Sequence, residues 1–171
     1  GKGEESNLTS FRGNRINIIF YNATAAYYHI EHIAEFLGKW SDTNRLFKSV
    51  DADLSCEVYL AGARALGIID KIITAPLWRL LESSISISEM GAHYQKLQVS
   101  LQKWQQDASS LLEGEAVFYE QLAPVNTDQR YRALFEEHTE SFNIITKLIL
   151  EILSSHFLIL LERQVADQLP G

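Results

Sequence analysis

Apolar positions fall at helical spacing along nearly the whole chain. From Ile16 they run Ile16, Phe20, Ala23, Tyr27, Ile30, Ala34 and Leu37, in alternating steps of four and three, which is one face of a helix. This predicts a first helix over 15–37, starting near Gly13-Asn14 and stopped by Gly38. A strand over 16–21 is the local competitor, because Ile18, Ile19 and Phe20 favour extended backbone. Ser41 or Asp42 caps a short second helix carrying Leu46, Phe47, Val50 and Leu54. Ser55 caps a third, carrying Val58, Tyr59, Leu60, Leu66, Ile69, Ile72 and Ile73. That helix meets Pro76, whose missing N–H and ring clash predict a kink near Thr74. Leu77, Trp78, Leu80 and Leu81 continue the face to about Ser83, with Trp78 expected against the last helix. Gly62 and Gly67 lie inside this segment and read as points of close helix packing.

Ser86 or Ser88 opens the next helix, whose face is Met90, Tyr94, Leu97, Leu101, Trp104, Ala108 and Leu111 and whose expected end is Gly114. Glu115 to Leu122 allow another turn or two before Pro124. Thr127 or Asp128 caps the last helix, which is expected to run through Arg130, Tyr131, Leu134, Phe135 and Phe142 to about Val165. Its stretch FNIITKLILEILSSHFLILL, 142–161, has Ile, Leu and Phe around almost the whole circumference, the pattern of a helix buried on most sides. Lys147, Glu151 and His156 within the run argue against a membrane span. Unbroken, the helix is roughly 55 Å long at 1.5 Å per residue, more than a compact domain of this size can surround. Phe157, Leu158 and Leu161 are therefore the candidate interface, an apolar remainder to be covered by a protein partner or by a second copy in a homodimer. With no sustained strand alternation and no internal repeat, the fold class is all-α: a bundle of about five to six helices around a long apolar C-terminal helix.

Composition adjusts this picture in a few places. The 171 residues suit one helical domain, 14–171, behind a polar flexible leader, 1–13. A net charge of −7 excludes a general nucleic-acid binder, which needs surplus Lys and Arg on one face. A lone cysteine, Cys56, and the lack of a signal peptide point to an intracellular protein. His29 and His32, with Glu31 and Glu35, offer a His-x-x-His helix face. The bundle di-metal pattern needs Glu three residues before His, whereas Ala26, Met90, Phe135 and Leu153 stand before His29, His93, His138 and His156. His93-Tyr94-Gln95-Lys96 matches half of the His-x-x-Lys-Gly pattern of histidine phosphotransfer bundles, with Leu97 in place of the glycine. Asp51, Asp53, Glu136, Glu137 and Glu140 give no base–nucleophile pair. No catalytic residue, metal or cofactor is expected, and the chain does not read as an enzyme.

Three segments, Asn14-Arg15-Ile16, ALGIIDKIITAPLWRLLES at 65–83 and HYQKLQVSLQKW at 93–104, together resemble a region of the hAT superfamily of DNA transposases and the host proteins derived from them. In that family an Arg-Trp dipeptide leads into a long helix. A helical insertion follows, with a Leu-x-Pro-(Phe/Leu) turn and a Tyr-bearing amphipathic helix. Ile16 stands here where the family has Trp. The resemblance covers a little over half the chain and implies a helical insertion module that scaffolds and joins subunits, in a nuclear protein. The family's catalytic Asp, Asp and Glu lie on an RNase H-like sheet outside this segment, so none is carried onto this sequence. The residues by themselves also leave open a stand-alone helical adaptor or a ligand-binding bundle unrelated to transposition.

Overall fold

The computed structural model describes residues 15–40, 44–83, 86–116 and 128–165. The leader 1–13, the caps Ser41, Asp42 and Thr127, and the stretch around Pro124 lie outside them. All regular structure among the described residues is helical: α1 (Arg15–Tyr28), α2 (Ile30–Trp40), α3 (Arg45–Leu54), α4 (Glu57–Ile69), a π turn (Asp70–Thr74), α5 (Ala75–Glu82), α6 (Ile87–Trp104), α7 (Ser109–Leu112), α8 (Gln129–Ala133) and α9 (Glu140–Gln164). The protein is an all-α bundle with a long apolar C-terminal helix.

Four strokes make the bundle. α1 runs up and α4–α5 runs down beside it, so that Thr24 meets Asp70. α6 runs up and α9 down, with Gln98 bonded to Glu162 and the Ala108 N–H to Glu151. α4 and α9 run the same way, joined near their starts by Ser141 to Glu57 and by Arg64 to Asn143. The core between these strokes holds Phe20, Ile68, Ile69, Ile73, Leu97, Leu101, Leu134 and Leu150. The α2–α3 hairpin projects from it: Phe36 packs on Phe47, Leu37 is buried, and α3 buries nothing.

The first predicted helix is present without a strand, and it differs in detail. It bends at His29, where α1 gives way to α2 although the bonds His29 N–H to Ala25 O and Ile33 N–H to His29 O carry through. Gly38 lies inside α2 rather than stopping it. Asn44 caps α3. Ser55 closes α3 instead of opening α4, its hydroxyl bonded to Asp51 O. Val58 and Tyr59 are exposed, and α4 buries Ala61, Ala65 and Gly67 instead. Gly67 is a true close-packing point, since a Cβ there would sit 2.7 Å from Leu134 Cδ2, whereas a Cβ at Gly62 would meet nothing within 4 Å.

The kink expected near Thr74 is the π turn, and Pro76 sits in the first turn of α5, where its missing N–H is harmless. Ser86 caps α6 in a reciprocal pair with Glu89. α6 stops at Trp104, ahead of Gly114; that glycine instead takes the left-handed conformation (φ 73°) after α7, under the Phe135 ring.

The largest departure is in the last helix, which is not one rod. Asp128 caps α8, which ends at Ala133, and α9 starts afresh at Glu140 with Thr139 as its cap. Neither proline nor glycine makes this break. The Arg64 Nε donates to Leu134 O at 2.7 Å, drawing off a carbonyl that would otherwise accept within a continuing helix. Asn143 Nδ2 donates to His138 O, and the Thr139 hydroxyl accepts from the Phe142 N–H. The 25 residues of α9 then span about 37 Å, a length the bundle can accompany.

Candidate functional site

Because α9 is apolar nearly all round, its neighbours decide which face goes in. The buried residues form one row in steps of four: Phe142, Thr146, Leu150, Ser154 and Leu158. Two residues further on, about 200° round the helix at 100° per residue, a second row faces outward: Ile144, Leu148, Ile152, His156 and Leu160. The apolar members of that row are all more than half exposed. Ile159, 45% exposed, adjoins it. By length and composition α9 is apolar enough to cross a bilayer. In this fold its inner row packs in the core, and its charges tie down the α6–α7 corner: Lys147 pairs with Asp107 at 2.9 Å, and Glu151 accepts from the Ala108 N–H.

The residues singled out from sequence do not form the outward row. Leu158 is buried in the core. Phe157 is partly buried against the Phe20 ring, 5.8 Å between centroids, and Leu161 also packs on the core. The spacing argument located an apolar surplus on α9 and assigned it to the wrong side. Phe157 and Leu161 instead form one wall of a cavity whose other walls are α5 and α6. Trp78 is half-buried on that cavity, its indole N–H donating to Glu82 Oε1 at 2.7 Å.

A polar seam runs along the opposite side of the bundle. Asp70, in the π turn, is 1% exposed and accepts from Tyr131, Thr74 and Thr24. Burial pushes its carboxyl above the ordinary range, while the three hydroxyls and Arg130 pull the other way. Burial, followed by the Asp70 charge, raises the Tyr131 phenol. Arg130 forks onto Asp128 and donates to Tyr21 OH at 2.8 Å; Asp128 in turn strengthens its hold on its proton. Arg64, 2% exposed, has no carboxylate beside it: Leu134 O and Asn143 Oδ1 receive its N–H groups, both at 2.7 Å, and the Phe142 ring lies 5.6 Å away. Burial lowers its pKa. Burial, and then the Arg64 charge, lowers that of His138, which is bonded to Tyr27 OH. These groups satisfy one another across α1, α4, α8 and α9, so the seam is a set of struts; π turns often mark functional places in helices, and here the turn carries the strut's central acid.

The remaining sequence candidates are dispersed. His29 and His32 stack edge to face at 6.0 Å. Among the described residues no group of three or more His, Cys, Asp and Glu side chains is arranged to hold a metal ion. Leu97, beside the His93 motif, is buried. Asp53, Glu136, Glu137 and Glu140 are exposed, and Asp51 and Cys56 are partly so. Sequence reasoning passed over Asp70 and Arg64, both of which sit in apolar helical runs; an ionisable residue at a core position of the helical period is the signal that marks them. No protein-family model, curated protein or solved structure matches the chain.

Proposed function

We propose that the chain is a non-catalytic helical interaction module that pairs through the outward row of α9, with a second copy of itself as the simplest partner, because a two-fold axis lets one patch bury itself twice. The row Ile144, Leu148, Ile152 and Leu160 carries the reading: four large apolar side chains, each about half exposed, aligned along one ridge of a 25-residue helix. Ridges of this four-residue kind pack into the grooves of a second helix.

The magnitudes favour a reversible contact. Full burial of a Leu or Ile is worth roughly 1.5–3 kcal/mol. Half of that for each of four side chains on two copies gives roughly 6–12 kcal/mol, against an association cost of about 4–15 kcal/mol. The dimer is therefore weak, and a partner that also covers Ile159 binds more tightly. As part of the same proposal, the resemblance over 14–104 makes the module the helical insertion of a transposase-like nuclear protein, joining subunits without cutting DNA. Its test is the flanking coding sequence, which should supply an Asp-bearing strand upstream and a Glu downstream.

Sedimentation equilibrium over a wide concentration range tests the contact. Self-association that Leu148→Glu and Ile152→Glu each weaken at least tenfold is the expected result. A chain that stays monomeric at every concentration, or a dimer indifferent to both substitutions, overturns it.

A further inference from the structure

Where α1, α5, α6 and α9 meet there is an open cavity of about 610 Å³. That is roughly four times the ~150 Å³ apolar cavity that accepts benzene, and within the range of small-molecule sites. Leu77 and Trp78 form one wall, Leu97 and Leu101 the second, Phe157 and Leu161 the third. None of the lining side chains carries a charge at neutral pH.

The polar groups on this lining are unequally engaged. The Trp78 N–H is taken by Glu82 and the Thr74 hydroxyl by Asp70. Asn17, which reaches the cavity from α1, has its Oδ1 buried without a hydrogen-bond partner. A buried amide oxygen left unmet carries its full desolvation cost, so it marks the point where something else donates.

We propose that this cavity binds a neutral amphiphile: an aliphatic or fused-ring hydrocarbon ending in a hydroxyl. The hydroxyl donates to Asn17 Oδ1, and the hydrocarbon lies between Leu77, Leu101 and Phe157. Charge selects the head group. A carboxylate would bring an unpaired negative charge into an apolar space with no cation on its lining, and would set acceptor against acceptor at Asn17. The exposed side chains of Leu81 and Leu160, both on the lining, mark the mouth through which the tail enters. Apart from Leu160 the site uses residues outside the outward row of α9, so it stands or falls independently of the pairing proposed above.

Decanol and decanoate are the probes, titrated into the full chain at pH 8 and followed by calorimetry and by Trp78 fluorescence. Decanol should bind saturably at one site, and decanoate at least tenfold more weakly. Leu77→Trp and Leu161→Trp, which fill the cavity from different walls, should each weaken decanol at least tenfold. Asn17→Leu should weaken it roughly five- to tenfold, the worth of one hydrogen bond. Thermal melts of each variant show whether it is folded; if the two Trp variants are not, Asn17→Leu and the decanoate comparison still decide. Absence of saturable decanol binding, equal affinity for decanoate, indifference to both folded Trp variants, or indifference to Asn17→Leu overturns the proposal.

Discussion

Replacing Arg64 tests whether a guanidinium without an acid partner holds the bundle together. In Arg64→Ala two charge-assisted hydrogen bonds disappear, each at 2.7 Å and each worth roughly 1.5–3 kcal/mol. Leu134 O, beside a fully buried side chain, is left without its donor, for about 1–3 kcal/mol more. Packing of the arginine stem is lost as well. Against these stands the relief of no longer burying a cation, itself several kcal/mol. The balance is a net loss of about 3 kcal/mol, or roughly 6–12 °C in Tm for a chain of this size. Urea unfolding of Arg64→Ala, Asn143→Ala and the double variant measures it. The two single losses should fail to add, since they break one shared bond, with a coupling of about 1 kcal/mol. Arg64→Lys keeps the charge but cannot span both acceptors, and falls between wild type and Arg64→Ala. A loss below about 1 kcal/mol in Arg64→Ala, or strictly additive single losses, refutes the strut.

Other outcomes follow from the same packing. Ser154 is fully buried with its hydroxyl unbonded, so Ser154→Ala should raise stability by about 1 kcal/mol; a destabilised variant in urea melts counts against this. Burial raises the Asp70 pKa, so the folded state favours the protonated acid. Stability from this group is complete below its ordinary pKa of about 3.9, and falls as pH rises through the folded value. Asp70→Asn, which does not titrate, should therefore gain on wild type in urea midpoints between about pH 4 and pH 7; a difference that is flat, or that shrinks with pH, contradicts the sign. Gly67→Ala forces a methyl toward Leu134 Cδ2 and should cost about 1–3 kcal/mol, read as a lower Tm, whereas Gly62→Ala, with open space, should not destabilise.

How legible each part was depends on whether local chemistry decided it. Met90, Leu97, Leu101, Trp104, Ala108 and Leu111 are all buried as their spacing requires, because polar residues between them leave one answer for the inward face. The Ser86–Glu89 cap is equally local. The division of α8 from α9 depends on Arg64, seventy positions away from the carbonyl it binds, and no nearby residue announces it. The faces of α9 were unreadable for the opposite reason: in a run apolar all round, periodicity carries no information, and the rows separate only once α4 and α6 are in place. The cavity behind Phe157 and Leu161 needs four helices to exist, so sequence could mark its wall without revealing the space.

The π turn at Asp70–Thr74 also sets a constraint on how this chain can change. Each helical residue advances the direction of its side chain by about 100°, so a wide turn acts as an angular offset between everything before it and everything after. With the offset in place, α4 offers its small residues to α1 while α5 aims Leu77 and Trp78 into the cavity. Deleting one residue there would give back a regular helix and swing α5 about 100° out of phase, turning those two side chains aside and parting Asp70 from Thr74. Residue identities in α5 are free to drift within their apolar character. The number of residues between Gly67 and Pro76 is not, and a lineage that preserves this bundle should show substitutions in that interval and no change of length.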